Sequence, residues 1–251
     1  MKRERNKRRR LKLIICYDGT DFVGWQRQKN GRTVQETLQQ AFHQLLGQRV
    51  QIIGAGRTDS GVHAVGQGAH VDIRSRMPIR TIHRALNALL PADIVVRSVK
   101  GVPAGFHARY SVRSKWYRYS IWNHPIRPLL ERHGVLHIPM PLRVSAMQRA
   151  SRLLQGRHDF RALRSTGGSA STTVRTLRTL RVQREGALLW IDAKADGFLY
   201  HMVRRIVGLL MEVGRGKVAP KEIPLLLKGK SHCVPPTAPA KGLCLMEVKY
   251  G

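Results

Sequence analysis

Residues 33–46 repeat with a helical period, and the stretches on either side do not. Val34, Leu38, Ala41, Phe42, Leu45 and Leu46 fall on one face at three- and four-residue spacing. Thr33 and Glu36 have the spacing of a capping box, and Gly47 ends the run. Short apolar runs of strand type flank it, residues 12–17 before and 51–53 after. A chain that changes period in this way must cover a sheet with helices, because a one-sided helix and a one-sided sheet each need a partner for the apolar face.

The same alternation recurs to the end of the chain. Strands are predicted over 68–73 and 94–99, with an amphipathic helix over 81–90 that stops at Pro91. From Lys115 to Trp122 aromatics alternate with polar residues at period two. Tyr117, Tyr119 and Ile121 share one face of that strand, and Trp116, Arg118 and Ser120 the other. A Pro-rich irregular connection over 127–142 leads to a helix over 145–154. A Gly/Ser/Thr loop over 163–173, a hairpin over 174–184 and 188–193, a helix over 201–213 and a last strand over 243–250 follow. The expected fold class is therefore α+β, built twice, each half an antiparallel sheet with packed helices. The halves divide near residue 110 into 11–110 and 111–251, behind a basic disordered arm over 1–10, and no sequence repeat underlies the two rounds.

Charge narrows the function. In 251 residues the net charge is +30, spread along the chain rather than gathered on one helix. Dispersed Lys and Arg point to a nucleic-acid partner before an anionic membrane, since phosphate contacts supply most sequence-independent affinity. No apolar run approaches the roughly 18 residues of a membrane span. Three cysteines, Cys16, Cys233 and Cys244, without a C-x-x-C pair fit a reducing, cytoplasmic setting and argue against a disulfide framework or zinc knuckle.

The chemistry-bearing stretch is Gly54-Ala55-Gly56-Arg57-Thr58-Asp59-Ser60-Gly61-Val62-His63-Ala64. It is a glycine-punctuated turn carrying one acid in a cationic chain, whose field favours the ionised carboxylate. Two readings stand, a structural turn and an active-site loop. Nucleotide motifs fail on spacing: a dinucleotide fingerprint from Gly54 needs glycine where Asp59 stands, and a P-loop ending at Gly229-Lys230-Ser231 needs glycine where Pro224 stands. Phe22 and Trp25, set among Gln26, Arg27 and Gln28, read either as a base-stacking surface or as core. On the apolar helix 201–213, Arg204 and Arg205 are either counter-ions for a buried acid such as Asp59 or cations that snorkel to the surface. A zinc-dependent enzyme using His63, His70 or His107 is a rival that lacks any HxxxH pair or neighbouring Cys.

In this order the motifs resemble the tRNA pseudouridine synthase A family, from about Leu11 to Tyr250. They are Tyr17-Asp18-Gly19-Thr20 with Phe22 and Gly24-Trp25-Gln26; Gly56-Arg57-Thr58-Asp59 with Gly61-Val62-His63-Ala64; and Tyr117-Arg118-Tyr119. Gly197-Phe198-Leu199-Tyr200-His201-Met202-Val203-Arg204 and Pro236-Thr237-Ala238-Pro239 with Gly242-Leu243 complete the set. Ser60 stands where the family usually has alanine, and Cys244 where an aromatic is common.

The resemblance implies two α+β halves across a catalytic cleft, and isomerisation of uridine to pseudouridine in tRNA without cofactor or metal, by a homodimer. It gives Asp59 the nucleophile's role, Arg204 that of its counter-ion and Tyr117 that of the pocket tyrosine. Leu243 is an apolar lid, Arg57 fills the gap left by the extruded nucleotide, and Thr58, Trp25, Gln26 and His63 contact substrate. Positions 38 to 40 of the anticodon stem-loop are the inherited target. Whether Asp59 attacks C1′, attacks C6 or abstracts a sugar proton stays open. A non-catalytic RNA-binding protein with the same fold is the alternative.

Overall fold

A computed structural model describes residues 8–168, 170–231 and 233–251. Of the expected basic arm, residues 1–7 lie outside this range. Arg8, Arg9 and Arg10 are not an arm, because they open the first strand. The chain forms two compact units, Met1–Arg113 with Leu245–Gly251, and Ser114–Cys244. The expected division near residue 110 thus falls at 113/114. The C-terminal strand, expected in the second half, returns to the first.

The first unit contains β1 (Arg8–Tyr17), α1 (Val34–Leu46), β2 (Ile52–Gly54), β3 (His63–Arg74), α2 (Ile79–Leu89) and β4 (Ile94–Val102). β1 is its centre, antiparallel to β3 with Leu13 opposite Ala69, and to β4 with Leu13 opposite Val99. β2 pairs antiparallel with β3, Ile52 opposite Val71. Alternation along β1 sends Leu11, Leu13, Ile15 and Tyr17 inward. Val34, Leu38 and Phe42 of α1 and Ile82 and Leu86 of α2 are likewise buried, and the two helices pack on each other. α1 begins where the sequence predicts: the Thr33 hydroxyl accepts the Glu36 N–H at 3.3 Å, and Gly47 ends the helix at φ 65°. β3 is longer than the expected 68–73, because the strand starts at His63, directly after the Asp59 turn.

The second unit contains most of β5 (Val112–Asn123), then β6 (Leu136–Ile138), α3 (Val144–Leu154), β7 (Gly156–Asp159), β8 (Val174–Glu185), β9 (Leu188–Ala195), α4 (Met202–Gly214) and α5 (Ile223–Leu227). β5, β9, β8 and β7 lie side by side and antiparallel. β6 departs from the all-antiparallel expectation by pairing parallel with β5, through the connection that reads as irregular. Tyr117, Tyr119 and Ile121 point together into the core, as period two requires. α3 packs on β8 and α4 packs on α3. β7 and α5 are absent from the sequence reading, being four and five residues long. β10 (Leu243–Tyr250) closes the chain, and its final residues join the first unit beside β3.

Candidate functional site

Asp59 is half-buried on a turn that earlier parts of the first unit hold from several sides. The turn closes on itself through the Val62 N–H and the Asp59 carbonyl at 3.2 Å. The Trp25 N–H donates to the Thr58 carbonyl at 3.1 Å, and the Gly61 N–H to the Phe22 carbonyl at 3.2 Å. Gly24 sits at φ 107°, and a Cβ there would lie 2.7 Å from the Thr58 carbonyl oxygen, so only glycine permits this approach. The motif around Gly24-Trp25 is therefore the cradle of the Asp59 motif.

Side chains add further anchors. The Tyr17 hydroxyl and Thr58 Oγ1 are 2.8 Å apart, both residues buried. Gln67, wholly buried between Gly66 and Gly68, donates from Nε2 to the Gly56 carbonyl at 2.9 Å. His63 Nδ1 accepts the Gly19 N–H at 3.0 Å and lies 3.1 Å from Asp18 Oδ1. His63 thereby ties the end of β1 to the start of β3. Arg57, beside all this, is exposed.

Trp25 requires a correction. Its side chain is 1% exposed and Phe22 is 2% exposed, so neither ring has a face on which a base could stack. Both belong to the core under the Asp59 turn, Trp25 near Tyr17 with ring centroids 6.3 Å apart. Gln26 is exposed, with its Nε2 donating to Gln35 Oε1 at 2.8 Å.

In the second unit, Tyr117 is 8% exposed, with Phe198 edge-on to its ring at 5.2 Å. Arg204, near the start of α4, is held by the segment over 235–239. Its Nε donates to the Ala238 carbonyl at 2.7 Å, and its own carbonyl accepts the Ala238 N–H at 3.0 Å. Arg205 takes a different course, donating to the carbonyls of Arg164 at 2.7 Å and Pro235 at 3.2 Å. Tyr119 steadies the same segment through a 2.8 Å bond to the Pro239 carbonyl, and burial raises its hydroxyl pKa above the usual tyrosine range. Leu243, at the start of β10, is buried. Just before α4, His201 has φ 59°, the only non-glycine residue in left-handed backbone among the described residues. Such a conformation is costly for a residue with a Cβ and concentrates at functional segments.

Sequence reasoning quoted Tyr17, Tyr119 and Ala238 within motifs without giving them a role, and it missed Gln67 altogether; all four act through these backbones. One signal was available, a glutamine inside an otherwise apolar and glycine-rich strand. The histidines of the zinc reading do not converge. His70 and His107 have ring centroids 4.8 Å apart, but each Nδ1 accepts backbone N–H groups. Among the described residues no three His, Cys, Asp or Glu side chains are placed to hold a metal ion. No described helix is long and apolar enough to cross a membrane.

Comparison with known proteins agrees with the resemblance drawn from the motifs. Relatives called tRNA pseudouridine synthase A include those of Acetivibrio thermocellus (47% identical, over 96% of this chain and 100% of the relative) and Citrifermentans bemidjiense (45%, 96% and 98%). A third, from Syntrophotalea carbinolica, is 44% identical over 96% of each. The family model described as tRNA pseudouridine synthase matches residues 13–111 and 150–251. A likeness of this extent, carried by both units and by the motifs that build the Asp59 turn and the Arg204 helix, makes the chain a member of the tRNA pseudouridine synthase family of isomerases.

Proposed function

We propose that this protein isomerises uridine to pseudouridine in tRNA, in the anticodon stem-loop at positions 38 to 40, with Asp59 as nucleophile on a flipped-out uridine. The observation that carries the reading is the extent of the likeness to tRNA pseudouridine synthase A proteins, across 96% of the chain. The construction of the Asp59 turn supports it. A carboxylate used as a nucleophile must be positioned before substrate arrives. Here the residues on both sides of Asp59 are pinned by Trp25, Phe22, Tyr17 and Gln67, so the turn is a mount and not a loose connection.

The reaction breaks N1–C1′ and forms C5–C1′. C5 loses a proton and N1 gains one, so no redox partner or net consumption of water is needed. Tyr117 is assigned to stack on the extruded base. Arg204 is assigned as counter-ion: with Nε committed to Ala238, its two Nη groups are the donors for a carboxylate. Arg57, exposed beside Asp59, takes the place vacated in the RNA stack, where extrusion costs a few kcal/mol. Thr58, Gln26, His63 and Leu243 complete the substrate-binding assignment, His63 by holding the turn. The protein works in the cytoplasm as a homodimer.

The test is Asp59→Ala with unmodified tRNA, mapping new pseudouridines by sequencing. Loss of modification at positions 38 to 40 with RNA binding kept is the expected result. Modification that persists in the variant rejects Asp59 as nucleophile. A wild-type protein that binds tRNA but modifies nothing would make it a non-catalytic binder of the same fold.

A further inference from the structure

A basic groove lies within the first unit, at the far end of β3 from the Asp59 turn. It encloses about 1410 Å³ and is lined by Arg8, Arg10, Arg49, Arg74, His70 and His107. At about 3.3 Å per residue, β3 runs roughly 23 Å from His63 to His70 in the groove wall and roughly 36 Å to Arg74.

The groove is built rather than incidental. Asp72 is its one carboxylate, and it is used up internally. Arg10 grips both its oxygens, Nε at 2.8 Å and Nη2 at 2.7 Å, while Arg8 adds a contact at 2.6 Å. These bonds hold the Asp72 carboxyl down at about 2. The lining thus carries four guanidinium groups and one carboxylate, which is ionised at neutral pH and taken up by Arg8 and Arg10, so it stays net positive.

The wall carrying Arg49 is tied to the wall carrying Arg74. Gln48 Nε2 donates to the Arg74 carbonyl at 2.6 Å, and the Arg74 N–H donates to Gln48 Oε1 at 3.1 Å. Arg49 and Arg74 are exposed, and among the described residues neither guanidinium has a carboxylate partner. Burial and the Arg10 charge lower the His70 pKa to about 4, so its ring is neutral at pH 7. Its Nδ1 accepts the Ala108 N–H at 3.0 Å, leaving the proton on Nε2 as a further donor.

Size selects the ligand. Pockets for small molecules run to about 1,000 Å³, whereas this groove is larger, and its lining carries four guanidinium groups against one carboxylate. We infer that it binds the phosphodiester backbone of the RNA substrate at a point remote from the target nucleotide, with Arg49 and Arg74 as the phosphate contacts. The inference rests on the proposal that the substrate is tRNA. A phosphate contact at Arg74, at the opposite end of β3 from the Asp59 turn, would let the enzyme select a folded RNA by its extent as well as by the nucleotide it modifies.

The experiment uses the full-length chain and an unmodified tRNA transcript. It compares wild type with Arg49→Gln/Arg74→Gln and with a control pair of exposed arginines on α2, Arg80→Gln/Arg84→Gln. The groove pair should weaken tRNA binding about five- to tenfold near physiological salt. It should also lower the slope of log affinity against log salt by about 1.4 to 1.8, the share of two phosphate contacts. KM should rise with kcat within about twofold of wild type. The control pair should change affinity less than about twofold.

Wild-type binding by the groove pair overturns the inference, and so does an equal loss in the control pair, which would mean diffuse charge. Both variants are checked by thermal unfolding, and a groove pair that unfolds is replaced by the single Arg49→Gln, read by the same slope at half the change. If wild type forms no pseudouridine, the salt slope still reads the groove, and the failure belongs to the enzymatic proposal alone.

Discussion

Replacing Trp25 by alanine separates two roles that the sequence leaves side by side. A base-stacking tryptophan costs affinity for RNA when removed and little stability. A core tryptophan does the reverse. The indole is 1% exposed, and its neighbours are Tyr17, itself buried, and the backbone of Gly54. A Cβ on Gly54 would come within 2.6 Å of the indole Cε2, so the ring is seated directly on the strand that delivers the Asp59 turn. Truncating a buried aromatic of this size to alanine costs about 3 to 5 kcal/mol. At this chain length each kcal/mol moves Tm by about 2 to 4 °C, so the expected drop is about 6 to 20 °C. Trp25→Phe, which keeps most of the buried area, should recover more than half of it.

The assay is calorimetry on the purified full-length variants, paired with tRNA binding at one salt concentration. Because the Trp25 N–H holds the Thr58 carbonyl through the main chain, that bond survives the substitution. Turnover at low temperature should then fall through loosening of the turn, with affinity near wild type. A Trp25→Ala protein that melts within about 2 °C of wild type while binding tRNA tenfold more weakly would refute the core assignment.

Two further perturbations probe the same unit. Tyr17→Phe removes one partner of the 2.8 Å hydroxyl pair with buried Thr58, at a cost of about 0.5 to 1.5 kcal/mol by thermal unfolding. The larger effect is expected on kcat, read as single-turnover pseudouridine formation, since Thr58 adjoins Asp59. An unchanged rate would show that the hydroxyl pair does not position the turn. His70, with its pKa lowered to about 4, binds fewer protons folded than unfolded between pH 6.5 and 4. Its contribution is fully present above pH 6.5 and is lost as pH falls toward 4. His70→Asn, measured by Tm across that range, should flatten the decline, and an identical pH profile would contradict the assignment.

The parts of the fold that could be read in the sequence are those whose signal is local. Thr33, Glu36 and Gly47 mark α1 because each makes its bond within four residues. Tyr117, Tyr119 and Ile121 mark β5 because the pleat turns alternate residues inward. What escaped depends on distant partners. Arg8 to Arg10 look like a solvated arm, yet their strand pairs with residues more than sixty positions away, opposite Arg74, Ile73 and Asp72. β7 and α5 are too short to carry a period.

The same divide runs through the candidate site. Asp59 and Arg57 stand out because a glycine-rich turn has a recognisable composition. Tyr17 and Gln67 do not, since a buried tyrosine or glutamine shows its purpose only when its acceptor is known. Trp25 was ambiguous for a related reason: an aromatic beside polar residues reads the same whether its ring faces solvent or Gly54.

The return of Leu245–Gly251 to the first unit bears on how the protein is made. On a ribosome, residues 8–113 emerge before the second unit but lack their closing strand until Leu245–Gly251 has been made. The second unit, contiguous from Ser114 to Cys244, is complete a few residues sooner. The unit translated earlier is therefore the later to finish folding, and it must wait with one sheet edge unpaired. A nascent chain stalled before residue 245 would carry that edge uncapped, open to chaperones and to other copies of itself.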